Sequence, residues 1–341
     1  MRAETIILNE ERNVSLTVYL QEAGKFRSGV KRPAVLVLPG GGYQYCSERE
    51  ADPVALSYLK AGFQAFILRY SVGEDAVWPN PLNDYEQAMG LIRERAEEWN
   101  LYQDKIAVVG FSAGGHLAAA AAVMGVNRPN AAVLGYAVTG TDVRACCKTA
   151  PDTVSAVDGS TPPCFLFSSR TDNVVPVSNT IRFMQALADH DVAFESHIYA
   201  YGPHGFSTCD SAVQALDGAV CRRISGWVED SIGWLKDVLG DFGTGGMTEP
   251  VCRWHMTDNG ETFLSVDCTF GHLMGVPQAR TFLGPILAKV RQEAGGVIVA
   301  EEDMAAGVLD GMKLRDMLAY AGVPEDFVAK LDAQLSRIPN A

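Results

Sequence analysis

Gly110-Phe111-Ser112-Ala113-Gly114-Gly115-His116 decides how this chain is read. The five residues before it, Lys105-Ile-Ala-Val-Val109, form a short apolar run of strand type. The seven after it, Leu117 to Val123, are dominated by alanine, the strongest helix former. Strand, Gly-x-Ser-x-Gly and helix in that order make a sharp turn that exposes a serine hydroxyl at the carboxyl end of a strand. The helix amino terminus behind the serine favours developing negative charge. Ser112 is the candidate nucleophile.

Apolar runs recur on both sides of this turn. Val14–Leu20 alternates with period two, and 34–38, 63–68, 131–138, 164–167 and 194–199 are the next strands. Helices are expected from Asp52 to near Gly62, from Pro81 to about Trp99, beyond Pro176, and around 211–239. On the last of these, Trp227 and Trp234 share one apolar face and read as core anchors. Residues 139–163 are polar and irregular. Strands alternating with helices predict an α/β fold with a mainly parallel, doubly wound sheet. Its chemistry should gather at the carboxyl ends of strands.

The ends that matter carry Gly40-Gly41-Gly42, Ser112, Asp172 and His204. A nucleophilic serine needs a base, an acid to orient the base, and donors for the oxyanion. Of six histidines, His204 alone sits in a Gly/Pro loop just past a strand, Tyr201-Gly-Pro-His-Gly-Phe206. His116 lies one helical turn beyond the serine and reads as structural; His190, His197, His255 and His272 lie on a helix end, inside a strand and in the chain's last third. Asp172 follows the 164–167 strand and stands between Ser112 and His204 in chain order, whereas Asp142, Asp158 and Asp210 lack a preceding strand. The order serine, acid, histidine is that of α/β-hydrolases. Backbone amides of Gly41, Gly42 and Ala113 are the candidate oxyanion donors.

These motifs occur together with Ser47-Glu-Arg-Glu50, Leu68-Arg-Tyr70, Pro81-Leu-Asn-Asp84 and Thr161-Pro-Pro163. The combination, over about 14–240, resembles the α/β-hydrolase esterases called acetyl xylan esterase-like, or bifunctional acetyl xylan and feruloyl esterases. The resemblance implies Ser112, Asp172 and His204 as a catalytic triad and release of small acyl groups from plant polysaccharide fragments. The 139–163 segment is shorter than in that family, where it forms part of a cap. A general carboxylesterase, feruloyl esterase, formamidase or peptidase would use related chemistry, and a binding protein on the same fold would not need the serine, acid, histidine set.

The chain has 341 residues, and 41 acidic against 28 basic side chains give a formal charge of −13. Such a surface argues against nucleic acid and anionic membranes and favours neutral substrates such as acylated sugars. The amino terminus shows no signal-peptide pattern, which implies a cytoplasmic protein with reduced thiols. No Cys-x-x-Cys spacing suggests zinc, and the chemistry requires no cofactor. A hydrolase domain is expected over 1–242, a Gly-rich linker over 243–248, and a small, mostly helical domain over 249–341. In that domain Asp258-Asn259-Gly260 is a hairpin signal, and Gly275-Val-Pro277 and Gly322-Val-Pro324 are expected to end one helix and start the next. Its Thr269-Phe-Gly-His-Leu and later helices resemble small carboxyl-terminal domains of some bacterial glycosidases. Its size suggests packing on the hydrolase domain or on a second copy in a homodimer.

Overall fold

Continuous Val/Leu/Ile/Ala runs bury both faces of a strand, and here they assemble a single eight-stranded sheet. The computed structural model describes residues 1–22, 31–209, 219–241, 246–255, 263–293 and 310–340. The strands are β1 (Arg2–Asn9), β2 (Val14–Leu20), β3 (Arg32–Leu38), β4 (Gln64–Arg69), β5 (Leu101–Phe111), β6 (Ala131–Gly135), β7 (Cys164–Ser169) and β8 (Phe194–Tyr199). Their spatial order is β1-β2-β4-β3-β5-β6-β7-β8. β1 and β2 pair antiparallel with each other, β2 pairs antiparallel with β4, and every other pairing is parallel. The α/β fold is thus an α/β-hydrolase sheet with one antiparallel edge.

Because side chains alternate across the pleat, one strand feeds two cores. Leu36 and Leu38 join Leu16, Phe66 and Val108 on one face, under α2 (Asn80–Glu94), α3 (Ser112–Met124) and α4 (Ser178–Asp189). Val35 and Val37 join Ile67, Val109 and Phe111 on the other, under α1 (Asp52–Ala61) and α5 (Trp227–Leu239). Trp227 is fully buried and stacks on Phe167 with ring centroids 4.2 Å apart, and Trp234 packs against Phe165. α3 is buried from Ser112 to Val123, which accounts for its lack of a polar face.

Several boundaries differ from the sequence reading. β1 was not expected; its side chains are only half covered on one face and exposed on the other, with Arg2 and Glu4 on the covered one. β5 begins at Leu101, through polar 102–105, and β6 ends at Gly135 because Tyr136 takes a positive φ of 33°. The helix expected around 211–239 is described from Trp227, after a short 3-10 turn at Ile224–Gly226; residues 210–218, Asp210 among them, lie outside the described residues. The irregular 139–163 segment contains two 3-10 turns, Thr141–Ala145 and Val154–Ala156.

The chain divides into two compact units, Met1–Trp254 and His255–Ala341. Val251 and Cys252 amides donate to Asp237 O, and Ala193 N–H donates to Trp254 O, so 251–254 belong to the first unit. The second unit has a core of its own, with Leu264, Leu273, Leu283, Leu314, Leu318 and Leu331 buried together. Among the described residues its helices are α6 (Phe270–Gly275), α7 (Pro277–Glu293), α8 (Leu314–Tyr320) and α9 (Glu325–Leu335). Gly275 closes α6 and Pro277 opens α7, while Gly322 and Pro324 separate α8 from α9. The Asp258-Asn259-Gly260 turn lies outside the described residues. Among the described residues no helix is long and apolar enough to cross a membrane.

Candidate active site

β3, β5, β6 and β7 end nearly level, with Leu38 opposite Gly110, Phe111 opposite Gly135, and Gly135 opposite Phe167. The loops leaving these strands therefore meet. Ser112 is the first residue of α3 and has φ of 53°, the left-handed conformation that a tight strand-to-helix turn imposes. The turn closes only because Gly114 lacks a side chain: a Cβ there would lie 2.2 Å from Leu38 O. Ser112 is nearly buried, yet it lines a cavity of about 370 Å³ together with His204, Gly41, Gly42 and Ala113.

His204, beyond β8, bridges the serine to the acid. Its Nε2 is 2.9 Å from Ser112 Oγ and its Nδ1 is 2.7 Å from Asp172 Oδ2. Asp172, in the loop after β7, is held by Val174 and Val175 amides, each donating to Oδ1 at 2.8 Å. The carboxylate side chain is wholly buried, whereas 17% of the imidazole is exposed. With Asp172 accepting on both oxygens, Nδ1 carries the hydrogen, and Nε2 is left to accept from the Ser112 hydroxyl. The Tyr136 ring stands edge-on to the imidazole with centroids 5.0 Å apart and limits its swing.

The glycine loop after β3 faces this pair. Gly41 has φ of 124°, and its carbonyl accepts the Gln44 amide at 2.9 Å; a Cβ at Gly41 would overlap Tyr45 O at 2.1 Å. Among the described residues, neither the Gly41 nor the Gly42 amide is spent on a backbone carbonyl. Ala113 N–H lies in the first turn of α3, where no acceptor exists within the helix. Tyr70 fixes the loop from beneath, its hydroxyl donating to Pro39 O at 2.6 Å. All six residues singled out in the sequence thus converge, with Asp172 behind His204 and the other five on the cavity.

The rival groups do other things. Asp142 lies on the cavity wall and accepts from Asn179 and Arg182. Asp158 accepts from Ser160 and Arg128, and the Ser160 hydrogen bond leads in holding its carboxyl below the usual range. His197 bonds Glu195 on β8, His190 bonds Ala186 O, and His272 bonds Asn340. His116 is fully buried between the Tyr43 hydroxyl at 2.8 Å and Pro151 O at 2.9 Å, and desolvation lowers its pKa to about 4. The unfolded chain therefore takes up a proton that the folded one refuses. That stability is present at neutral pH and is lost as pH falls from about 6.5, the free imidazole value, towards 4. His116→Gln is expected to flatten this part of the pH–stability curve, read by urea unfolding at neutral and mildly acid pH, while activity stays within a few fold. An unchanged slope would contradict the assignment.

Two residues of the site were not singled out as functional by sequence reasoning, Glu50 and Tyr136. Glu50 closes the Ser47-Glu-Arg-Glu50 run, which in the sequence is only one of the motifs carrying the family resemblance, and it is 3% exposed and lines the cavity.

Residues 16–134 match the family model BD-FAE. The chain is 30% identical over 212 residues to endo-1,4-beta-xylanase B of Butyrivibrio fibrisolvens, covering 53% of this chain and 33% of that protein. It is 29% identical over 227 residues to an acetylxylan esterase of Xylanibacter ruminicola, covering 59% and 45%. The chain thus spans less than half the length of these curated relatives. Among solved structures, MGS-M1, an alpha/beta hydrolase enzyme from a Medee basin deep-sea metagenome library, is 41% identical with a TM-score of 0.66, over 70% of this chain and 98% of that one. Fold and site define an α/β-hydrolase. The chain belongs to that family.

Proposed function

We propose that the chain is a serine carbohydrate esterase that removes O-acetyl groups from xylo-oligosaccharides or similar plant-derived oligosaccharides. The observation that carries this reading is His204, within hydrogen-bond reach of Ser112 Oγ on one side and Asp172 on the other, beside unspent glycine amides. Ser112 Oγ attacks the ester carbonyl while His204 Nε2 takes its proton. The developing oxyanion accepts from the amides of Ala113, Gly41 and Gly42. His204 then protonates the departing sugar oxygen as the acyl C–O bond breaks, giving the free hydroxyl, and Asp172 steadies the imidazolium. Water, deprotonated by His204, releases acetate from the acyl-enzyme. These steps run on the chain's own side chains and amides, with no cofactor.

The cavity supports a small acyl group. Its walls include Val138, Ala145, Val174, Val175 and Pro176, and apart from His204 its only aromatic lining residue among those described is Tyr45, which is 61% exposed. A feruloyl ring would find little to stack on. The relative named an acetylxylan esterase supports the same choice. Acetate release from acetylated xylo-oligosaccharides is expected to outpace ferulate release from feruloylated ones. Faster ferulate release would overturn the acyl preference, and activity on simple aryl acetates alone would make the chain a general carboxylesterase.

A further inference from the structure

Glu50 ends the 3-10 turn Glu48–Glu50 and spends both its oxygens inside the protein. Oε2 accepts from the Gly40 amide at 2.8 Å, and Oε1 accepts from the Tyr136 hydroxyl at 2.7 Å. The Tyr136 oxygen in turn accepts from the Ser207 amide at 3.1 Å. One carboxylate thereby joins three loops: the glycine loop after β3, the turn after β6, and the loop that carries His204. Arg49 adds a second tie, its Nη1 donating to Gly205 O at 3.2 Å. Burial pushes the Glu50 carboxyl up from its ordinary range, while its bonds to Tyr136 and Gly40 and the nearby His204 and Arg49 pull it back.

A buried carboxylate is a costly way to fill space, and an apolar or amide side chain of similar volume would pack at lower cost. The hydrolytic steps need no second acid either, because Asp172 already orients His204. What remains is geometry. Gly40-Gly41-Gly42 is conformationally free by composition, yet oxyanion donors act only when held within a fraction of an ångström. Anchoring the Gly40 amide limits how the following peptide, which carries Gly41 N–H, can rotate. The Tyr136 link refers that anchor to the ring that packs on His204.

We propose that Glu50 is a positioning residue that clamps the oxyanion glycines to the histidine loop, so that the Gly41 and Gly42 amides and His204 Nε2 converge on one acyl carbonyl. This rests on reading Ser112 and His204 as acyl-transfer groups.

Glu50→Gln keeps the shape of the side chain but replaces one acceptor oxygen with an NH2, so the bond to Gly40 or to Tyr136 is lost or reversed, the latter against a Tyr136 oxygen that already accepts from Ser207. On an aryl acetate kcat is expected to fall about a hundredfold, with KM little changed. Tm is expected to hold or rise, since a buried charge has gone. Labelling of Ser112 by a fluorophosphonate should slow in parallel, because phosphonylation also develops negative charge on an oxygen facing those amides. Tyr136→Phe removes the hydroxyl while keeping the ring, and should produce a loss of the same kind. The double variant should lose little more than either single one, as coupled residues do. If Glu50→Gln labels and turns over like the wild type, or loses rate only in step with Tm, the clamp is overturned. A wild type that neither labels nor hydrolyses the ester overturns the hydrolase reading as well.

Discussion

Ser112→Ala is expected to leave a folded protein whose kcat on an aryl acetate falls on the order of a millionfold, the scale of nucleophile knockouts in triads that act as a unit. The loss should be confined to chemistry. Ser112 sits at the left-handed turn between β5 and α3, and alanine fills the same space and accepts the same backbone without the hydroxyl. Gly114, which lets the turn pass Leu38 O, is untouched. Unfolding transitions should therefore overlay while turnover disappears. Residual activity within about tenfold of wild type would mean that another group attacks the ester.

Asp172→Asn is expected to cost on the order of ten thousandfold in kcat with the site geometry retained. The reason is tautomeric. Oδ1 receives the Val174 and Val175 amides, so an asparagine must turn its carbonyl towards them and its NH2 towards His204 Nδ1. The imidazole then keeps its lone pair on Nδ1 and its hydrogen on Nε2, where Ser112 needs an acceptor. The imidazolium also loses its counter-charge in a pocket where the acid is wholly buried. Measuring kcat across neutral to alkaline pH checks this, because a wrong tautomer is not cured by raising pH. A variant that recovers wild-type rates at alkaline pH would contradict the role given to Asp172.

The central strands β3 and β6 were legible because both their faces are buried, which writes them as unbroken apolar runs such as Ala34–Leu38 and Ala131–Gly135. β1 escaped because an edge strand half covered by solvent places Arg2 and Glu4 on its inner face, which hides the alternation. The end of β6 escaped because nothing in the local run marks the positive φ of Tyr136, whose hydroxyl partners, Glu50 and Ser207, lie 86 and 71 residues away. The meeting of Ser112, Asp172 and His204 was legible because each follows a strand, and parallel strands end at one edge of the sheet. Glu50 was not, since nothing local distinguishes a buried carboxylate from its neighbours Glu48 and Arg49 in a charged turn. Only the tertiary meeting of Gly40, Tyr136 and Glu50 separates them.

In the proposed mechanism Ser112 attacks the acyl carbonyl. Intact-mass and peptide-mapping spectrometry after reaction with a fluorophosphonate tests it most directly. One adduct per chain is expected, located on Ser112, with esterase activity lost in proportion to labelling and no adduct on Ser112→Ala. An adduct on another residue, or full activity with Ser112 completely labelled, would contradict it.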